Sequence, residues 1–315
     1  MLELDLQLNE LKKVLQKDKS RRYLLELPEG LKHKAFEIIN FMTDLKKEFV
    51  LSIDTTFGAC DIYETDLKKS NSQTIIHFGH NKYVLQKIKE NIIYWSCFYK
   101  FDENDLKKYI KNIETKFKNK KITLVGPIQY KYLIKDIIKG LKENKIVNYI
   151  DNIKQSRLEQ NQILGCDCSI LNKIVDKIDA IIYLGDGNFH FEALKNLKAY
   201  KYNFNKIFEE IEYKYDSKIN YEVLFLSAKK IGIYVSSKLG QNKIILAKEI
   251  SKKLNKIEKE NIIIYGNEIN NEKLLGLNLN LIINTACPRI TDDYKNYSIA
   301  IIDYKDFLEI YKKYY

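Results

Sequence analysis

The chain has 315 residues, of which 45% are apolar and 12% aromatic, enough to bury a substantial core, which excludes a disordered polypeptide. Its 53 lysines and arginines exceed 42 acidic residues for a net charge of +11, but the skew towards Lys, Ile, Asn and Tyr runs along the whole chain, so the charge reads as composition rather than as a nucleic-acid patch. Five cysteines, an odd number, argue against a disulfide framework, and apolar runs no longer than buried strands argue against a secretory signal or a membrane span, so a cytoplasmic protein is expected.

In chain order, apolar runs of strand length stand at Tyr23 to Leu27, Ile75 to Phe78 and Ile122 to Val125. A helical spacing of apolar residues over Tyr130 to Lys142 follows, then a strand at Ile181 to Leu184 and another at Gly232 to Val235. A second helix is predicted over Asn242 to Leu254, ahead of strands at Ile262 to Tyr265, Leu279 to Ile283 and Ile299 to Ile302. Continuous apolar strands alternating with amphipathic helices imply an α/β fold with parallel sheets covered on both faces.

Anchoring on cysteines exposes an internal repeat. Cys60 is followed 15 residues later by the strand starting at Ile75, Cys166 is followed 15 residues later by the one at Ile181, and Cys287 is followed 14 residues later by Ile301. This predicts three repeated parallel-sheet α/β units, at residues 1–100, 101–206 and 207–315, in a pseudo-threefold arrangement. Because ligand sites in such sheets form beyond the carboxyl ends of the strands, three equivalent loops would meet at one centre. Cys97 and Cys168 have no counterparts in the other units and read as small buried hydrophobes.

Local CxxC spacing is absent, which argues against a zinc ribbon or a ferredoxin-type motif. Three thiolates from distant loops suit three irons of a [4Fe-4S] cluster and leave the fourth iron open for chemistry. Spacing alone leaves open a zinc site completed by His77, His80 or His190, and no metal at all. Around this centre, Gly185-Asp186-Gly187-Asn188-Phe189-His190 combines glycines that permit close backbone approach with an acceptor at Asp186, or is simply a tight turn into a helix near Phe191. Gln241 offers donor and acceptor at a helix start, or caps it. Arg289, two residues past Cys287, carries a guanidinium fork suited to a carboxylate.

The blocks Leu27-Pro28-Glu29-Gly30, Phe57-Gly58-Ala59-Cys60, His77-Phe78-Gly79-His80, Leu164-Gly165-Cys166, Tyr183 to His190 and Ala286-Cys287-Pro288-Arg289, in this order, resemble the diphthamide synthase family. The resemblance implies an unconventional radical S-adenosylmethionine enzyme. Its reduced [4Fe-4S] cluster would cleave the methionine Cγ–S bond, and the 3-amino-3-carboxypropyl group would pass to C2 of a histidine imidazole in translation elongation factor 2, releasing methylthioadenosine. Carried over, Cys60, Cys166 and Cys287 are the cluster ligands and Arg289 pairs with the cofactor carboxylate. Gln241, Gly185, Asp186, Gly187 and His190 stand as further cofactor contacts. The resemblance also implies an external electron donor and a homodimer where a single subunit type is encoded; no nucleic-acid role is expected. The alternatives are a quinolinate synthase-like condensing enzyme, which uses a similar three-cysteine cluster, and a non-catalytic partner subunit. Phe57, Asn81 and the Leu239-Gly240-Gln241-Asn242 stretch depart from the family pattern without touching a cysteine.

Overall fold

All eight expected strands form, most of them because alternate side chains reach separate apolar layers. The computed structural model describes residues 3–62, 64–83, 91–144, 148–149, 158–185, 187–195, 197–204, 206–210 and 220–315. The chain divides into two units, one of Met1–Ala59 with Glu64–Lys214 and one of Cys60–Tyr63 with Tyr215–Tyr315.

The first unit runs β1 (Glu3–Asp5), α1 (Leu8–Lys17), β2 (Arg22–Glu26), α2 (Ala35–Phe41), β3 (Glu48–Leu51), α3 (Glu64–Lys69), β4 (Thr74–Phe78), β5 (Asn91–Trp95) and β6 (Phe98–Lys100). It continues with α4 (Glu103–Lys116), β7 (Lys121–Val125), α5 (Lys131–Asn144), β8 (Asn148–Tyr149), β9 (Ala180–Leu184), β10 (Ala199–Asn203) and β11 (Lys206–Glu210). One sheet is ordered β3-β2-β4-β5 and is parallel throughout, with β1 and β6 forming a separate antiparallel pair. The other is ordered β11-β10-β9-β7-β8 and is parallel apart from the β10–β11 edge pair. In this second sheet Ile122, Leu124, Ile182 and Leu184 pack beneath α4 and α5, while Val125, Ile181 and Tyr183 fill the opposite layer with Ile163, Ile170 and Phe191.

The second unit carries α6 (Tyr221–Ser227), β12 (Lys230–Ser236), α7 (Ile244–Lys256), β13 (Glu260–Gly266), α8 (Asn271–Leu274), β14 (Leu281–Asn284), α9 (Arg289–Asp292), β15 (Ala300–Asp303) and α10 (Tyr304–Tyr314). Its sheet, ordered β13-β12-β14-β15, is wholly parallel. The two-residue period is again explicit: Ile231, Ile233, Val235, Leu281 and Ile283 pack against α7 and α10, and Tyr234, Ile282 and Ile301 face the other way towards Ile269 and Leu274.

Two features differ from the sequence expectation. The strands that composition does not announce include β3, β5, β8 and β11, which are sheet edges; β3 and β5 are partly exposed, so mixed composition hides them and pairing decides them. The chain forms two compact units, the first two sheets lying in one and Cys60–Tyr63 standing with the third sheet in the other. The expected border at 206/207 also meets β11, whose pairing with β10 extends the second sheet to Glu210. Among the described residues no helix is long and apolar enough to cross a membrane.

Cys97 is fully buried in the core of the first sheet beside Phe78 and Met42, and burial pushes its thiol up to about 12. Cys97→Ala is therefore expected to cost roughly 1 kcal/mol through lost packing, read as a lower urea midpoint with an unchanged slope.

Candidate cysteine sites at the carboxyl ends of the strands

In the second unit β12 and β14 are parallel neighbours, so the loops after Ser236 and Asn284 leave the sheet side by side. Asn284, fully buried at the end of an otherwise apolar strand, shapes the second loop: its amide donates to the Cys287 carbonyl at 2.7 Å and its Oδ1 accepts from the Ala286 N–H at 3.0 Å. Thr285 Oγ1 ties the loop to Tyr234 O at 2.7 Å. Pro288 then stands at the N-cap of α9, which opens with Arg289. Arg289 is only 9% exposed, and its Nη1 donates to Asp292 Oδ2 at 2.8 Å.

Cys60 belongs to this unit as well. Gly240 N–H donates to the Cys60 carbonyl at 3.2 Å, and Gln241 Nε2 donates to Cys60 Sγ at 3.3 Å. The approach is so close that a Cβ on Gly240 would lie 2.5 Å from Cys60 Cβ, which is the reason glycine is required there. Gln241 therefore does not cap a helix; α7 starts three residues later, and the Gln241 side chain goes to the sulfur. Burial pushes the Cys60 thiol up to about 11, opposed by the Gln241 hydrogen bond, with nearby Cys287 and Asp61 adding to the rise. Cys287 is also raised by burial, and the Arg289 backbone hydrogen bond and the positive charges of Arg289 and Lys238 work against it. Two thiols near enough to influence each other, facing an amide donor and two cations, form a set suited to binding a cationic soft centre that replaces their protons.

In the first unit Leu164 and Asp167 exchange backbone hydrogen bonds at 2.9 and 3.1 Å, which places Gly165 and Cys166 at the tip of a two-residue hairpin with Cys166 exposed. Gly165 N–H donates to His190 Nδ1 at 3.0 Å, and a Cβ on Gly165 would strike Phe189 O at 2.7 Å. Cys168 turns inward: it packs against the layer containing Ile170 and Phe191, and its Sγ donates to Ala193 O at 3.3 Å. Of the loop after β9, Gly187 takes a left-handed φ of 67° and Gly185 leaves room for the Tyr183 hydroxyl, 2.5 Å from where its Cβ would be. Asp186 lies outside the described residues. The helix expected near Phe191 is a single 3-10 turn over Phe191–Leu194.

A further polar group in this unit is not legible in the sequence. Glu26 and His77 are register partners on β2 and β4, 2% and 0% exposed, with His77 Nδ1 on Glu26 Oε2 at 2.6 Å. His80 Nδ1 lies 3.1 Å from His77 Nε2, and burial, then His77 and His190, hold His80 well below the usual histidine range. The signal that could have found the pair is a charged residue, Glu26, inside the apolar run Tyr23 to Leu27. Lys238 with Asp61 and Asn284 were missed for a different reason, since their roles rest on partners distant in sequence or on loop geometry. Among the described residues no group of three His, Cys, Asp or Glu side chains is set to hold a metal ion; Cys60 and Cys287 stand in the second unit and Cys166 in the first.

Comparison with known proteins agrees with this arrangement of blocks. Residues 27–310 match the family model described as "Putative diphthamide synthesis protein". The chain is 30% identical over 313 residues to the 2-(3-amino-3-carboxypropyl)histidine synthase of Methanocaldococcus jannaschii, covering 91% of this chain and 83% of the relative. It is 28% identical over 294 residues to the synthase of the same name from Pyrococcus horikoshii, covering 91% and 84%, and 26% identical to the Kluyveromyces lactis protein named as subunit 1 of that synthase, covering 89% and 68%. The crystal structure of Dph2 from Pyrococcus horikoshii with a 4Fe-4S cluster superposes with a TM-score of 0.80 at 25% identity, over 99% of this chain and 92% of that one. The fold is thus an α/β architecture of parallel sheets shared with a cluster-containing protein. The chain belongs to the diphthamide synthesis family.

Native-state alkylation of the metal-free protein is expected to follow exposure, with exposed Cys166 modified first and fully buried Cys97 last, separated by at least about tenfold in rate; timed iodoacetamide labelling with peptide mass spectrometry reads it. Glu26→Ala leaves His77 buried without its carboxylate partner and is expected to cost about 1–3 kcal/mol, measured by urea unfolding.

Proposed function

We propose that this protein catalyses the first step of diphthamide biosynthesis, moving the 3-amino-3-carboxypropyl group of S-adenosylmethionine to C2 of a histidine imidazole in translation elongation factor 2. The co-product is methylthioadenosine. The carrying observation is that a chain of this family keeps Cys60 and Cys287 close enough to interact, with Gln241 on one thiol and the buried Arg289 beside the other. Cys60, Cys166 and Cys287 would hold a [4Fe-4S] cluster, one cysteine from each of the three sheet-bearing segments, in a pseudo-threefold arrangement. The fit rests on donor chemistry: iron-sulfur clusters are held by cysteine thiolates, and bound iron takes the place of the thiol protons. When bound and reduced, the cluster supplies the electron that cleaves the methionine Cγ–S bond.

The chain's own residues then have positional work. Arg289, oriented by Asp292 at 2.8 Å, would pair its guanidinium with the carboxylate of the cofactor. Gly185, Asp186, Gly187 and His190 would be further cofactor contacts, the glycines permitting backbone approach. Orientation decides which sulfonium bond is cleaved, since the reacting bond must align with the donor. A cytoplasmic homodimer served by an external electron donor completes the proposal.

Two tests follow. After anaerobic reconstitution with iron and sulfide, Cys60→Ala, Cys166→Ala and Cys287→Ala are expected to lose cluster absorbance and iron, whereas Cys97→Ala and Cys168→Ala retain both; loss confined to Cys168→Ala instead of Cys166→Ala would reverse the ligand assignment. Arg289→Met is expected to weaken cofactor binding by about 10- to 100-fold, the value of a charge-assisted hydrogen bond, with cluster content unchanged. Mass spectrometry of methylthioadenosine and of the modified factor reads the reaction itself.

A further inference from the structure

Lys238 and Asp61 form a buried ion pair in the second unit. Lys238 is 3% exposed and Asp61 0%; Nζ lies 2.9 Å from Asp61 Oδ2 and 3.7 Å from Glu268 Oε1. Removing two charges from water is costly, and well-packed apolar residues often serve stability as well. The pair's placement suggests what it accomplishes instead. Asp61 directly follows Cys60, and the segment Cys60–Tyr63 belongs to the second unit although the residues on both sides of it belong to the first.

Three residues of the turn 238–241 grip this segment. Lys238 takes the Asp61 carboxylate, Gly240 N–H takes the Cys60 carbonyl at 3.2 Å, and Gln241 takes the Cys60 sulfur at 3.3 Å. The gripping turn is itself fixed: Lys238 N–H donates to Ser236 Oγ at 3.2 Å, and Gln241 N–H donates to the Lys238 carbonyl at 2.9 Å. Of the three bonds, two involve neutral groups, whereas the ion pair joins two charges in a desolvated setting, where their attraction is far stronger than in water.

We propose that Lys238 is a positioning residue which, through its ion pair with Asp61, fixes Cys60 against the loop after β12. Its relevance to catalysis rests on the reading of Cys60 as a cluster ligand, but the positioning itself does not. The two are separated by testing the metal-free protein first. Iodoacetamide labelling followed by peptide mass spectrometry is expected to modify Cys60 about tenfold faster in Lys238→Met and in Asp61→Asn than in the parent, because the thiol gains solvent access. Cys166 labelling should not change, and Lys238→Arg, which keeps the charge, should stay within about threefold of the parent. If a single variant does not fold, the double variant Lys238→Met with Asp61→Asn leaves no charge buried alone and carries the same expectation. Folded variants with parental Cys60 labelling would overturn the proposal. Failure of the cluster assignment shows separately, as full iron content in Cys60→Ala, and leaves the labelling result standing. If both hold, Lys238→Met reconstituted with iron and sulfide is expected to take up less iron per chain than Lys238→Arg.

Discussion

Everything reactive in this molecule is confined by one constraint, the covering of its parallel sheets on both faces. In β7, β9, β12 and β14 odd and even side chains enter different apolar layers, and the backbone groups between them are consumed by neighbouring strands. A polar side chain within such a strand needs an immediate partner, as Glu26 and His77 have in each other. Only the loops beyond the carboxyl ends are free to present thiols, amides and guanidinium groups, so chemistry collects there for a reason of packing.

The cysteines sort by environment accordingly. Cys97 lies inside a core, Cys168 turns back under the second sheet to the Ala193 carbonyl, and Cys166 stands at an exposed hairpin tip two residues away. A two-residue turn closed by Leu164 and Asp167 is what separates Cys166 from Cys168, since it reverses the chain between them. Cys60 and Cys287 share a third environment, partly buried and facing donors and cations. Desolvation raises the proton affinity of both thiols, and the neighbouring Gln241, Lys238 and Arg289 supply the opposing stabilisation of negative sulfur.

Buried polar contacts do the aligning. Asn284 bonds both sides of the turn that carries Cys287, so the last residue of β14 transmits the strand's position to that loop. Gly240 brings two backbones to a separation that any side chain would forbid. Such contacts join residues far apart in the chain, or turn on local geometry too fine for composition to express.

By itself the sequence determined the α/β class, eight strands including every central one of the third sheet, and the cysteine-bearing loops, because burial demands long apolar runs and leaves glycine, proline and cysteine to mark the strand ends. The ordered blocks from Leu27 to Arg289 determined the family for the same reason, as loops that approach a ligand closely tolerate few residue types. Tertiary structure alone decided the edge strands, whose half-exposed composition carries little signal, and the passage of Cys60–Tyr63 out of the unit that surrounds it in sequence. It also decided that Gln241 meets a sulfur instead of capping α7 and that Lys238 meets Asp61, since hydrogen bonds and ion pairs depend on distances in space that a residue pattern along the chain does not encode.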